Sequence, residues 1–295
     1  MPGWDEIMAE INNTPNNIDY VRRNYLCKLS EYTNRDTIAY YSGWLENPQA
    51  HNVDINDSDM EGFMNVIKGL ECNKGLDLIL HTPGGSPEAA EAIVHYIRKK
   101  FNNDVRIIVP QLAMSAGTMI ACSGKSIIMG KHSSLGPIDP QFNGIPCYNI
   151  KDEFQKAKEE LSNTQDNIAY WSILLNRYPP AFLKTALDAI ELSSLLVREW
   201  LESCMFSGDQ EKDEKIEHIV QCVNEHNNSK LHGRHFSIDY CKDIGLKIEE
   251  MEENKQLQDL ILSVHHSYIA TLNMGNVVKI IESSNGKAYI NILQK

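Results

Sequence analysis

Between residues 76 and 129 the chain alternates short apolar runs with longer stretches whose apolar residues recur every three to four positions. Leu76-Asp77-Leu78-Ile79-Leu80 stops where turn formers crowd, at His81-Thr82-Pro83-Gly84-Gly85-Ser86-Pro87. The run is too short for a helix and is bounded by turn residues, so it predicts a buried strand. A helix follows, with Ser86 suited to cap it, Pro87 suited to its first position, and Ala89, Ala90, Ile93, Val94 and Ile97 on one face. Its basic last turn, Arg98-Lys99-Lys100, complements the helix dipole. The pattern then predicts a strand at 105–109, a turn at 110–114, a short helix at 115–122 closed by Gly124, and a strand at 126–129. This β-α-β-α-β order is that of an α/β protein with a mainly parallel sheet and helical crossovers.

Upstream, TIAYYSGWL at 37–45, with Ile38, Tyr40, Tyr41 and Trp44, predicts a first strand, and the polar run 52–59 a loop ending in a helix cap. From 151 to 206 the pattern is helical, interrupted at Tyr178-Pro179-Pro180. A loop at 208–213, a helix, the polar junction NEHNNSK and the short element SIDYCKDIGLKI come next. Residues 255–272 predict a helix, and VVKIIE with AYINIL a terminal hairpin around Asn285-Gly286. The expected division is an N-terminal helical and strand extension over 1–50, a core over 51–250 with a helical insertion at about 151–230, and a helix and hairpin over 251–295.

Composition narrows the partners. The formal charge of −12 argues against nucleic acid or an anionic membrane, since a phosphate tracker needs clustered surplus cations. Apolar residues at 42% and charged residues at 23% are ordinary globular usage, which disfavours disorder. Seven cysteines lie no closer than 18 positions apart, so no CxxC metal knuckle exists. They read as reduced, mostly buried thiols of a cytoplasmic chain. The polar start MPGWDEIMAEINN lacks the apolar stretch of a secretory leader. Residues 107–130 are broken by Pro110, Gln111, three serines and Lys125 before a span of about 20 apolar residues is reached, so they read as interior core with no stable membrane insertion.

Three segments carry candidate chemistry. In Thr82-Pro83-Gly84-Gly85 two glycines after a strand let backbone N–H groups point into a cleft, or make a simple strand-to-helix turn. In Ala113-Met114-Ser115-Ala116-Gly117-Thr118 a serine sits at a strand-to-helix junction, where it either caps the helix or serves as a nucleophile. Alanine at 113 departs from the GxSxG elbow of α/β-hydrolases. The stiff run Ser133-Ser134-Leu135-Gly136-Pro137-Ile138-Asp139-Pro140-Gln141 is either a turn or one wall of a peptide groove.

In order, HTPGG at 81–85, QLAMSAGTMIA at 111–121, SSLGPIDPQ at 133–141 and HGRHFSIDYCKDIGL at 232–246 resemble the ClpP/crotonase superfamily. Most closely they resemble the serine dehydrogenase proteinase family, related to signal peptide peptidase A. The resemblance implies a ClpP/crotonase-like fold of stacked ββα units with helical C-terminal additions, a homo-oligomer, and a serine peptidase that acts on protein or peptide without cofactor or metal. It makes Ser115 the nucleophile and Gly85 and Ala116, with Gly84 beside them, the oxyanion hole. Cys241 stands where the family more usually has alanine.

The general base is less direct. ClpP-type peptidases carry a histidine about 25 positions after the serine, but the matching stretch here ends in Asp139, and His132 reads as a surface residue. Signal peptide peptidase A relatives use a lysine 40 to 50 positions on, where Lys156 and Lys158 fall. A lysine base needs its pKa lowered by about 3 units, a cost of about 4 kcal/mol that requires burial, whereas histidine starts near neutrality. His232, where ClpP-type enzymes place their acid, therefore ranks ahead of Lys156. His235 and Asp239 nearby are too few ligands for a metal. His265-His266 read as ordinary polar residues of a C-terminal helix. The alternatives are a crotonase-type acyl-CoA enzyme, with Ser115 incidental, and a non-catalytic oligomeric scaffold.

Overall fold

The computed structural model describes residues 3–14, 18–164, 166–224 and 231–293. Helices α1 (Trp4–Asn13) and α2 (Ile18–Thr33) lead into β1 (Asp36–Ser42). Then come α3 (Asp59–Ile67), β2 (Leu76–His81), α4 (Pro87–Phe101), β3 (Val105–Val109), β4 (Leu112–Ala113), α5 (Ala116–Cys122), β5 (Ile127–Met129) and β6 (Ser134–Leu135). A hairpin of β7 (Gln141–Phe142) and β8 (Ile145–Pro146) opens the helical excursion α6 (Cys147–Asn163), α7 (Ile168–Leu175) and α8 (Phe182–Trp200), which ends in a π-helical turn. After α9 (Lys212–Asn224) come β9 (Phe236–Ser237), α10 (Ile238–Asp243), β10 (Ile248–Glu250), α11 (Lys255–Met274), β11 (Val277–Ser283) and β12 (Ala288–Ile292). Most of the predicted junction NEHNNSK lies outside the described residues.

Seven of these strands form one sheet in the order β10-β5-β3-β2-β1-β11-β12. The first five are mutually parallel, and β11 and β12 close the far side antiparallel. This is the expected α/β class with a mainly parallel sheet. Successive residues of each strand point to opposite faces, and both faces are covered. Ile38, Tyr40, Leu78, Leu80, Ile107 and Ile281 join one core with α3, α4, α5 and α8, while Ala39, Tyr41, Ile79, Ile108 and Ile280 join another under α2 and α11. Full burial of each leucine or isoleucine among them is worth about 1.5–3 kcal/mol, so the sheet is held from both faces. Helix α4 begins as read, with Ser86 Oγ accepting from Ala89 N–H at 3.0 Å and Pro87 in the first turn.

Four expectations change. The turn predicted at 110–114 contains β4, which pairs in parallel with β6 inside the predicted stiff run; β9 adds antiparallel to make a second, three-stranded sheet. Two-residue strands are too short to leave any periodicity. Trp44 lies beyond β1 and packs its ring 4.5 Å from that of His81. His265 is buried, not an ordinary polar residue, and meets the Tyr41 hydroxyl at 3.2 Å through Nδ1. Three of the cysteines are buried and four half-buried, all of them as free thiols. The large sheet also draws on all three predicted stretches, with β1 seated between β2 and β11. Among the described residues no helix is long and apolar enough to cross a membrane.

Candidate active site

Two turns meet at the end of β2. Thr82 N–H donates to Leu112 O at 3.1 Å and Met114 N–H donates back to Thr82 O at 3.0 Å, so the Pro-Gly-Gly turn and the turn bearing Ser115 are joined backbone to backbone. Glycine is required where they touch. Gly84 has φ +101°, and a Cβ there would lie 2.6 Å from Ser115 Cβ and 2.7 Å from Met114 O. A Cβ on Gly117 would lie 2.5 Å from Thr82 Cγ2. Both contacts are below any real Cβ approach, so the glycines set how close the two turns come.

Ser115 stands at the first boundary of α5 with φ 52° and ψ −119°, a conformation that L-residues avoid at a cost of about 1–3 kcal/mol. Its hydroxyl makes no capping bond, so the capping role left open by the sequence is not the one it plays. The side chain is partly exposed. Thr118 locks the turn from within: its Oγ1 donates to Ala113 O at 2.8 Å and accepts from Gly136 N–H at 2.9 Å. Ser115→Gly is expected to raise stability by about 1 kcal/mol in urea denaturation, because glycine relieves the strain while losing more backbone entropy. A loss of stability would show that the turn is unstrained.

Three backbone amides were expected to face the serine. Gly84 N–H is turned to Thr82 Oγ1 at 3.2 Å. Gly85 and Ala116 N–H find no acceptor among the described residues. Gly84 therefore supplies space, and the two remaining donors are those of Gly85 and Ala116.

His232 Nδ1 lies 2.9 Å from Asp139 Oδ1, with the carboxylate fully buried and the imidazole about one-quarter exposed, at 28%. The three-stranded sheet explains the meeting. Ala113, Leu135 and Phe236 are in register across it, and the chain leaves the same edge toward Ser115, toward Asp139, and back toward His232. In the tautomer that donates from Nδ1 to this carboxylate, Nε2 keeps its lone pair. The Ser115 hydroxyl makes no hydrogen bond among the described residues, to His232 or otherwise.

The other candidates sit apart. Lys156 and Lys158 are exposed on α6, so their ammonium groups keep their water and the burial a lysine base needs is missing. His132 and His235 are exposed. Cys241 is buried, and burial pushes its thiol up to about 12, which makes it inert. Asp139 stands 24 residues after Ser115, at the position where the ClpP-type pattern has its histidine. The visible signal was an exchange: acid where the ClpP-type pattern has its histidine, and histidine where it has its acid.

Residues 22–172 match the family described as ClpP-like SDH-type serine proteinase, a stretch that contains Gly84, Gly85, Ser115 and Asp139 and stops before His232. Two uncharacterized proteins of Methanocaldococcus jannaschii are similar: MJ0137 is 41% identical over 96 residues, 32% of this chain and 33% of that protein. MJ1495 is 34% identical over 109 residues, 37% of each. The chain spans about a third of the length of these curated relatives. With half of its length matched, the chain belongs to the ClpP-like SDH-type serine proteinases.

Proposed function

We propose that this protein hydrolyses peptide bonds through an acyl-enzyme on Ser115, without a cofactor. The observation that carries the reading is the strained Ser115 turn held against Gly84, with two unspent amides beside it. In the proposed reaction Nε2 of His232 takes the Ser115 proton while Asp139 keeps the imidazole in the required tautomer. The hydroxyl oxygen attacks the substrate carbonyl, and the amides of Gly85 and Ala116 receive the negative charge that develops on its oxygen. His232 then returns the proton to the leaving amine, and a water repeats the sequence to release the acyl group. Hydroxyl and imidazole engage when substrate fills the gap, as catalytic hydrogen bonds commonly tighten only in the Michaelis complex. A peptide in extended form would lie beside the Gly84-Gly85 turn.

The experiment is labelling with a fluorophosphonate probe and mapping of the adduct by mass spectrometry. Wild type should be labelled on Ser115, and Ser115→Ala not at all. Absence of labelling from mildly acidic to mildly basic buffer would overturn the peptidase reading and favour the acyl-CoA or scaffold alternatives. The reading extends to a homo-oligomer in the cytoplasm. Exposed Ile168, Tyr170 and Ile173 on α7 support an interface between copies, and the free thiols support a reducing compartment. Sedimentation of the labelled protein as a monomer would remove the oligomer.

A further inference from the structure

We infer that the buried Lys279–Asp59 ion pair positions the Gly85 amide, by fixing a backbone strap that presses the Gly84-Gly85 turn toward Ser115. The inference rests on the peptidase reading and adds positioning residues to it.

The turn at Gly84-Gly85 is held on its outer side by residue 55. Ile55 N–H donates to Gly84 O at 2.7 Å, and Ser86 N–H donates to Ile55 O at 2.9 Å. Gly85, at φ +151°, lies flush against this strap: a Cβ there would fall 2.3 Å from Ile55 O and 2.4 Å from Ile55 N. Residue 55 thus decides where the Gly85 N–H sits, yet it lies in a loop between β1 and α3 whose only ladder contact among the described residues is this one bridge.

What holds the strap is a polar cluster beneath it. Ser42 Oγ donates to Val53 O at 2.7 Å. Lys279 Nζ donates to Asp54 O and to Asp59 Oδ1, both at 2.7 Å. Asp59 Oδ2 accepts from Tyr40 O–H at 2.8 Å and from Asn56 N–H at 3.1 Å. Residues 53, 54 and 56, on either side of Ile55, are therefore tied to β1, β11 and the start of α3. The side chains of Lys279 and Asp59 are both fully buried. Apolar replacement of a buried ion pair is often neutral or stabilising, so such a pair is weak evidence for stability and better suited to specifying position. Here the position specified is that of the strap.

The test is the neutral double variant Asp59→Asn/Lys279→Met. It removes both charges together, keeps an acceptor at residue 59 for Tyr40 and Asn56, and deletes the donor to Asp54 O. The rate constant of fluorophosphonate labelling at Ser115 and kcat for a peptide are expected to fall by about 10- to 100-fold, with KM unchanged, because a displaced oxyanion donor acts on the transition state. A merely structural role would lower the labelled endpoint, since fewer molecules are folded, and leave the rate constant of the folded ones alone. That result overturns the inference. If the double variant does not fold, Asp59→Asn/Lys279→Gln likewise removes both charges but keeps a polar donor at residue 279; it should slow labelling by about three- to tenfold, and an unchanged rate constant overturns the inference equally. Failure of the underlying reading is distinct, because then wild type itself is not labelled.

Discussion

His232→Ala is expected to lower kcat/KM for a peptide substrate by about 10⁴-fold, Ser115→Ala by at least as much, and the double variant by no more than the worse single. The near-equality follows from the roles: a serine without a base is un-ionised, and a base without the serine has no proton to take. Asp139→Asn should cost about 10³- to 10⁴-fold while leaving the protein folded, because the amide can donate toward Nδ1 and so turns the lone pair away from Ser115. Both His232 and Ser115 are partly exposed, so their truncation opens no core cavity and leaves the denaturation midpoint in place. Steady-state kinetics of the three single variants and the double decides the matter. Multiplying losses would mean that the two side chains act independently, and a full-activity His232→Ala would remove the base.

Acidification should destabilise the protein steeply below about pH 6.5, the ordinary histidine value. His81 is wholly buried, ringed by Tyr41, Trp44 and His265 at 5.5, 4.5 and 5.4 Å, and neither of its ring nitrogens has a hydrogen-bond partner among the described residues. Burial drives its pKa down to about 3. His265, bonded to the Tyr41 hydroxyl, is pushed well below the ordinary value by burial first and then by His81, His266 and His132. A lowered pKa means that the unfolded chain binds protons where the native one does not. Stability is therefore complete above about pH 6.5 and falls by about 1.4 kcal/mol per pH unit for each histidine as the pH drops toward the native pKa. The pair together should cost about 4 kcal/mol by pH 5. Urea midpoints across this range measure it, and His81→Leu should halve the slope without loss at neutral pH. An unaltered slope in that variant would show that His81 is not a source.

How far the sequence could be read depended on length and spacing. The strand at 76–80, the capped helix after Ser86 and the hairpin at Asn285-Gly286 are marked by residues adjacent in the chain, and the structure contains all three. Ser115 stood out through its small neighbours, although its φ of 52° is a backbone property that no composition announces. The His232–Asp139 contact spans 93 positions and depends on three strands of two residues each, so the one signal for it was the exchange of acid and histidine against the ClpP-type pattern. His265 looked polar because helical periodicity alone does not say which turn faces Tyr41. The strap at 53–56 read as a loop, which it is; its ties to Lys279 appear only once β11 is placed beside β1.

That placement has a consequence for synthesis. Residue 279 reaches the Asp54 carbonyl across 225 positions of chain, and the open side of β1 is filled by a strand made long after it. A ribosome-bound chain can thus assemble the serine turn and its glycines early, while the strap beside them keeps its ties to Ser42 and Asp59 and lacks the one to residue 279. Under the peptidase reading, a nascent or C-terminally clipped polypeptide would be a slower hydrolase, and full competence would arrive once β11 docks.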